Sequence, residues 1–203
     1  MIKYCYTAIL LLFSGITFAQ ESEIQQESSR FNFGFSLGAN YSLLYNNEDT
    51  DDLTIQNAPG YRLGLLSEYE LADNWTIQSK AELSFNFGRI ETNNINYRVD
   101  PNNMDFMLHI KHRFNGFDGK AKPFCYFGPS LRFPLNPQSE ILTLDTKPSF
   151  ALDFGFGVDI QTKKFYISPE IRFTGGLTDI RNQPSGNSLR GSNAAIIISF
   201  SSK

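Results

Sequence analysis

Ionisable residues recur at alternate positions inside several short apolar runs, and that spacing sets the chemistry the chain offers. The set is Arg62, Glu68, Lys80, Glu82, His109, Lys111, Arg113, Asp153, Asp159, Glu170 and Arg172, with both signs in similar numbers. If these side chains share a confined interior of low dielectric, they must pair or hydrate, so the expected chemistry is a network of salt bridges and water. Other reactive groups point nowhere else. His109 and His112 are the only histidines, and neither has a partner at metal-site or triad spacing. Asn47-Glu48-Asp49-Thr50-Asp51-Asp52 lacks the glycine and closing glutamate of a calcium loop and reads as solvated. Cys125 reads as a packing residue. Gly155-Phe156-Gly157 lies inside a strand pattern, so it is no phosphate cradle. No cofactor is expected.

The elements that position these charges follow from a period of two. From Phe31 onward, Phe33, Phe35, Leu37, Ala39, Tyr41 and Leu43 alternate with Asn32, Gly34, Ser36, Gly38, Asn40 and Ser42. Only an extended strand sends neighbours to opposite faces in this way. The same pattern returns around Tyr61–Leu71, Trp75–Phe87, Asp105–Phe114, Phe150–Ile160, Phe165–Phe173 and Ala194–Phe200. Lys122 to Phe133 is a strand whose apolar face is left open, because Phe124 and Tyr126 compete with Cys125, Phe127 and Leu131. Pro129 and Pro169 each remove a ladder donor, so a bulge or strand end is expected at both. Long polar connections at Leu44–Pro59, Ile90–Met104, Pro134–Lys147 and Thr178–Ser188 alternate with short links at Ala72–Asn74, Asn115–Ala121 and Gln161–Lys163.

These features predict an all-β fold: a closed antiparallel up-and-down barrel of about eight strands, of the transmembrane type. Alternation alone also fits a soluble periplasmic lipocalin-like binding barrel, with its apolar face inside. Three observations favour the membrane. The polar face is rich in Gly, Ser and Asn, which suit a narrow lumen better than a wetted surface. The 19 Phe and 9 Tyr would overfill a small soluble core. Phe31 to Tyr41 spans roughly 33 Å and, tilted by about 45°, projects to about the height of an outer-membrane apolar band. Aromatics at strand ends, such as Phe31, Tyr41, Trp75 and Phe173, match interfacial girdles.

The amino end supplies the address. Lys3 is a positive n-region, Ala8 to Phe13 a short apolar core, and Thr17-Phe18-Ala19 a cleavage site. Residues 1–19 are therefore expected to be a cleaved signal peptide, 20–29 a polar lead-in, and 30–203 the outer-membrane barrel domain. With Cys5 in the signal, Cys125 is left without a disulfide partner. A formal charge of −3 and a pI near 5.4 give no footprint for nucleic acid.

Several segments resemble the PorT-like outer-membrane β-barrel family. They are Lys122-Pro123-Phe124-Cys125-Tyr126-Phe127-Gly128-Pro129-Ser130, Asp105–Phe114, Asp153-Phe154-Gly155-Phe156-Gly157 with Asp159, and Glu170-Ile171-Arg172-Phe173 with Gly176-Leu177-Thr178-Asp179-Ile180. The chain departs in having Met107 where members often carry proline, and in following Phe200 with Ser201-Ser202-Lys203. The resemblance implies a barrel in the outer membrane and, for some members, a part in protein secretion; it implies no activity. The expectation is a non-enzymatic barrel that meets outer-membrane lipid and, through its loops or rim, an envelope or secretion protein partner. An outer-membrane lipid-modifying enzyme is the alternative, and it would use His112 on the apolar face. An interfacial histidine beside Lys111 and Arg113 is the reading preferred here.

Overall fold

Alternation resolves into eleven strands in the computed structural model, which describes residues 30–46, 53–86, 89–92, 95–98, 102–116, 120–135, 147–180 and 189–202. The signal and lead-in expected over 1–29, and the acidic run Asn47–Asp52, lie outside the described residues. The strands are β1 (Phe31–Asn46), β2 (Leu53–Gln56), β3 (Pro59–Ala72), β4 (Trp75–Asn86), β5 (Arg89–Thr92), β6 (Ile95–Arg98), β7 (Asn102–Arg113), β8 (Ala121–Pro134), β9 (Ser149–Gln161), β10 (Phe165–Gly176) and β11 (Leu189–Ser202).

Eight of them close into an antiparallel barrel in the order β1-β11-β10-β9-β8-β7-β4-β3. Closure leaves no open edge, which hydrocarbon requires because it offers no hydrogen bonds to a bare backbone. Following partners round from Phe31 leads through Tyr69, Ile77, Ile110, Phe127, Phe154, Phe173 and Ala194 to Tyr41, so the sheet closes with a stagger of ten residues. Ten steps of about 3.3 Å set against eight strand spacings of about 4.8 Å tilt the strands by roughly 40°. The backbone cylinder then has a radius of roughly 8 Å, which leaves room for side chains and little else.

The faces decide what solvent the barrel meets. Phe33, Leu65 and Ile196 point outward and are 63, 70 and 66 % exposed, whereas Thr76, Glu82, His109 and Arg172 point inward and are fully buried. A lipocalin-like barrel needs the opposite arrangement, so that alternative does not describe this molecule. Strand β8, whose faces the sequence left open, buries Phe124 and Tyr126 and turns Cys125, Phe127 and Phe133 outward. Its interior rings are accommodated by glycine on the next strand: a Cβ at Gly155 would lie 2.2 Å from Tyr126 Cζ.

The prolines correct one expectation. Pro129 pairs with Leu152 and Pro169 with Ile198 in unbroken register, so neither marks a bulge or a strand end. On the opposite flanks, the β7–β8 ladder skips Gly128 and Pro129, the β9–β10 ladder skips Ser168 and Pro169, and both resume in the same register. Each missing N–H is thus absorbed by a local gap in one ladder. The register shift that does occur lies between Glu70 and Ala72, beside the tight turn at Asp73-Asn74.

The first two long connections are also more ordered than polar composition suggests. Strand β2, from the β1–β3 connection, pairs with β5, and β5 pairs with β6, both from the β4–β7 connection. They form a separate three-stranded sheet.

Candidate functional site

All eleven charges expected from the sequence to face inward lie buried in the lumen. They fall into two layers along the barrel. Near the short-turn end, Lys111 Nζ lies 3.0 Å from Glu68 Oε1 and 2.9 Å from the Asp159 carboxylate. Arg113 reaches the same two acids, with Nη2 2.9 Å from Glu68 Oε2 and Nε 2.7 Å from Asp159 Oδ2. Two cations and two carboxylates therefore close a ring across β3, β7 and β9. Gln78 donates to Glu68 at 2.7 Å, Ser168 donates to Asp159 at 2.7 Å, and Arg113 Nη1 donates to Thr76 Oγ1 at 2.6 Å. Phe124 forms one wall, with the Lys111 ammonium 4.0 Å from its ring centre.

The central layer crosses the lumen. Strands β4 and β10 stand on opposite sides of the eight-strand ring. Lys80 on β4 binds Glu170 on β10 at 2.6 Å, and Arg172 Nη2 on β10 binds Glu82 Oε2 on β4. These are two diametric cross-links of opposite polarity. Arg62 Nη1 also binds Glu82 Oε2, at 3.1 Å. Tyr126 donates to Glu170 at 3.2 Å and stacks on His109, with ring centres 4.6 Å apart. His109 Nε2 lies 3.0 Å from Asp153 Oδ2, and Asp153 Oδ1 accepts from Thr174 at 2.6 Å.

Sequence reasoning missed part of this assembly. Asp105, two positions after Asn103 on the inward face of β7 and outside the candidate set, is buried and pairs with Arg132 at 3.0 Å. Arg132 and Tyr126 belong to β8, and both share the even positions with Phe124, so choosing that face would have found them. The uncharged members Thr76, Gln78, Ser168 and Thr174 sit at in-phase positions on β4 and β10 and were readable by the same rule.

His112 lies elsewhere. It faces outward, opposite Trp75 on β4 and Cys125 on β8, with its ring 4.4 Å from that of Trp75 and 4.9 Å from that of Phe114. Its cross-strand partners include neither serine nor carboxylate, so no hydrolytic triad is assembled around it among the described residues.

An outward aromatic belt, a neutralised interior and an eight-strand closure of stagger ten together describe a membrane barrel. The model of the outer membrane protein beta-barrel domain matches residues 18–182. The chain belongs to that family. Solved structures agree on the fold. The outer membrane protein OprG from Pseudomonas aeruginosa superposes with a TM-score of 0.53 at 12 % identity, covering 85 % of this chain and 93 % of that one. Neisserial surface protein A superposes with a TM-score of 0.52 at 12 % identity, covering 84 % and 96 %. No curated protein matches the chain in sequence. The family places this barrel in the outer membrane. Barrels of this kind keep short turns towards the periplasm and longer loops outside, and the short and long connections of this chain are oriented by that rule.

Proposed function

We propose that this outer-membrane barrel is a closed, non-enzymatic element of the envelope that acts through its external connections or its rim. One observation carries the reading: the diametric pairs Lys80–Glu170 and Glu82–Arg172 span a lumen already filled by Tyr126, His109 and Arg62. A solute path would have to break buried ion pairs, each left with an uncompensated charge. Export by a signal over residues 1–19, and a secretion or envelope protein as partner, complete the proposal; the PorT-like segments support the secretion partner. Crosslinking and pull-down from detergent-solubilised outer membranes would identify that partner.

The test of closure is electrical. Purified barrel in a planar bilayer should pass no steady current at 100 mV or so, while the double variant Lys80→Met, Glu82→Gln should begin to show conductance steps. Sustained, ion-selective steps from the unmodified barrel would overturn the closed reading.

A further inference from the structure

Charge is distributed unevenly around the periplasmic rim. The two links between β7 and β8 and between β9 and β10 (residues 114–120 and 162–164), together with the first residues of β8, hold Lys120, Lys122, Lys163 and Lys164 against the single carboxylate Asp118. The fold brings these links side by side: Gln161 N donates to Lys120 O at 2.8 Å, and Lys122 pairs in register with Asp159. Lys163 and Lys164 form the tip of a two-residue turn clamped by Thr162, whose N–H donates to Phe165 O at 2.9 Å and whose Oγ1 accepts from Phe165 N at 3.1 Å. Asp159 faces inward, as does Lys122 opposite it, and is already engaged by Lys111 and Arg113. Among the described residues no carboxylate pairs with any of the four lysines, and three of them are exposed. Across the barrel the rim is mixed, with Asp73 in the β3–β4 turn and Glu70 offset by Arg113, 3.7 Å from Glu70, and by Arg30, whose carbonyl accepts from Glu70 N at 2.9 Å.

Directly above the lysines, the outward face carries Ile160 and Phe165, 41 and 42 % exposed, as part of the lipid-facing belt. Ammonium groups at the rim and an apolar wall continuous with them match the two ends of one molecule. We infer that the rim of β8, β9 and β10 binds the headgroup of an anionic phospholipid of the inner leaflet, with its acyl chains against Ile160 and Phe165. The inference rests on the membrane placement above. A lysine held near an anionic lipid surface typically contributes enough to change local lipid occupancy several-fold, and the three exposed lysines, Lys120, Lys163 and Lys164, act together here.

The chain has a single tryptophan, Trp75, on the opposite side of the periplasmic girdle. It serves as the internal control, and Phe165→Trp in a Trp75→Phe background serves as the local reporter. Both are reconstituted in phosphatidylcholine vesicles containing brominated phosphatidylglycerol or brominated phosphatidylcholine, and quenching gives relative lipid occupancy. The Phe165→Trp reporter should favour phosphatidylglycerol by about 5-fold or more. Trp75 should show little preference, and Lys120→Gln, Lys163→Gln and Lys164→Gln together should bring the reporter's preference to about unity. Equal preference at both positions, or a preference that survives the three substitutions, overturns the inference. Displacement by millimolar inorganic phosphate would reassign the lysines to a soluble anion. Loss of binding to sedimented peptidoglycan in the lysine variant, with lipid selectivity unchanged, would reassign them to the cell wall. Failure of any brominated lipid to quench Trp75 would instead refute the membrane placement itself.

Discussion

Glu82 is the most demanding position in the lumen to perturb. Its Oε2 is shared by Arg62 Nη1 at 3.1 Å and by Arg172 Nη2, and its Oε1 accepts from Ser36 at 3.3 Å. All three charged side chains are almost wholly inaccessible, and Glu82 is the only carboxylate in ion-pair contact with either arginine among the described residues. At about 3 Å and an effective dielectric near 20, each attraction is worth ~5 kcal/mol before desolvation is charged against it. Glu82→Gln keeps the shape and removes the charge, leaving two guanidiniums facing each other. Removing one partner of a buried pair costs about 3–5 kcal/mol, and the variant should lose that much stability. The assay is urea unfolding in lipid vesicles, read by Trp75 fluorescence. Arg172→Met alone should also destabilise. The double variant should be less damaged than the two single losses added together, with a coupling of about 2 kcal/mol or more. Loss below ~0.5 kcal/mol for Glu82→Gln, or additive single variants, would show that the lumen is wet enough to screen these charges and would refute the reasoning.

Two further outcomes test the outer face and the packing of the lumen. Leu65, 70 % exposed near the middle of β3, should cost about 2–4 kcal/mol when replaced by arginine, measured by the same unfolding assay; a cost near zero would mean that the face meets water. Gly155→Val should cost about 1–3 kcal/mol through collision with Tyr126, and Tyr126→Ala should recover much of it; no recovery would place the strain elsewhere.

Alternation made the barrel legible because a strand allows only two faces, and Phe31–Leu43 or Asp105–Phe114 state both faces plainly. Strand β8 did not, since Phe124 and Tyr126 are as apolar as their outward neighbours; only Gly155 and Gly157 on the next strand reveal that the interior has space for rings. The candidate charges were legible as a set but not as partners. Pairing Lys80 with Glu170 requires knowing that β4 and β10 face each other, and that is fixed by closure and stagger, not by local spacing. The prolines misled because an isolated strand has no way to show that one ladder can lose two pairs and recover its register. The outer sheet was invisible for a related reason: four-residue strands in polar segments carry too few positions for a period to stand out.

That outer sheet ties together stretches of chain that would otherwise vary independently. Leu53 to Gln56 aligns residue for residue with Thr92 to Arg89, so an insertion within either stretch throws the pairings on its two sides out of step with each other. Antibodies or phage receptor-binding proteins that recognise this surface would read a composite epitope, one that synthetic peptides copied from either stretch alone would fail to reproduce.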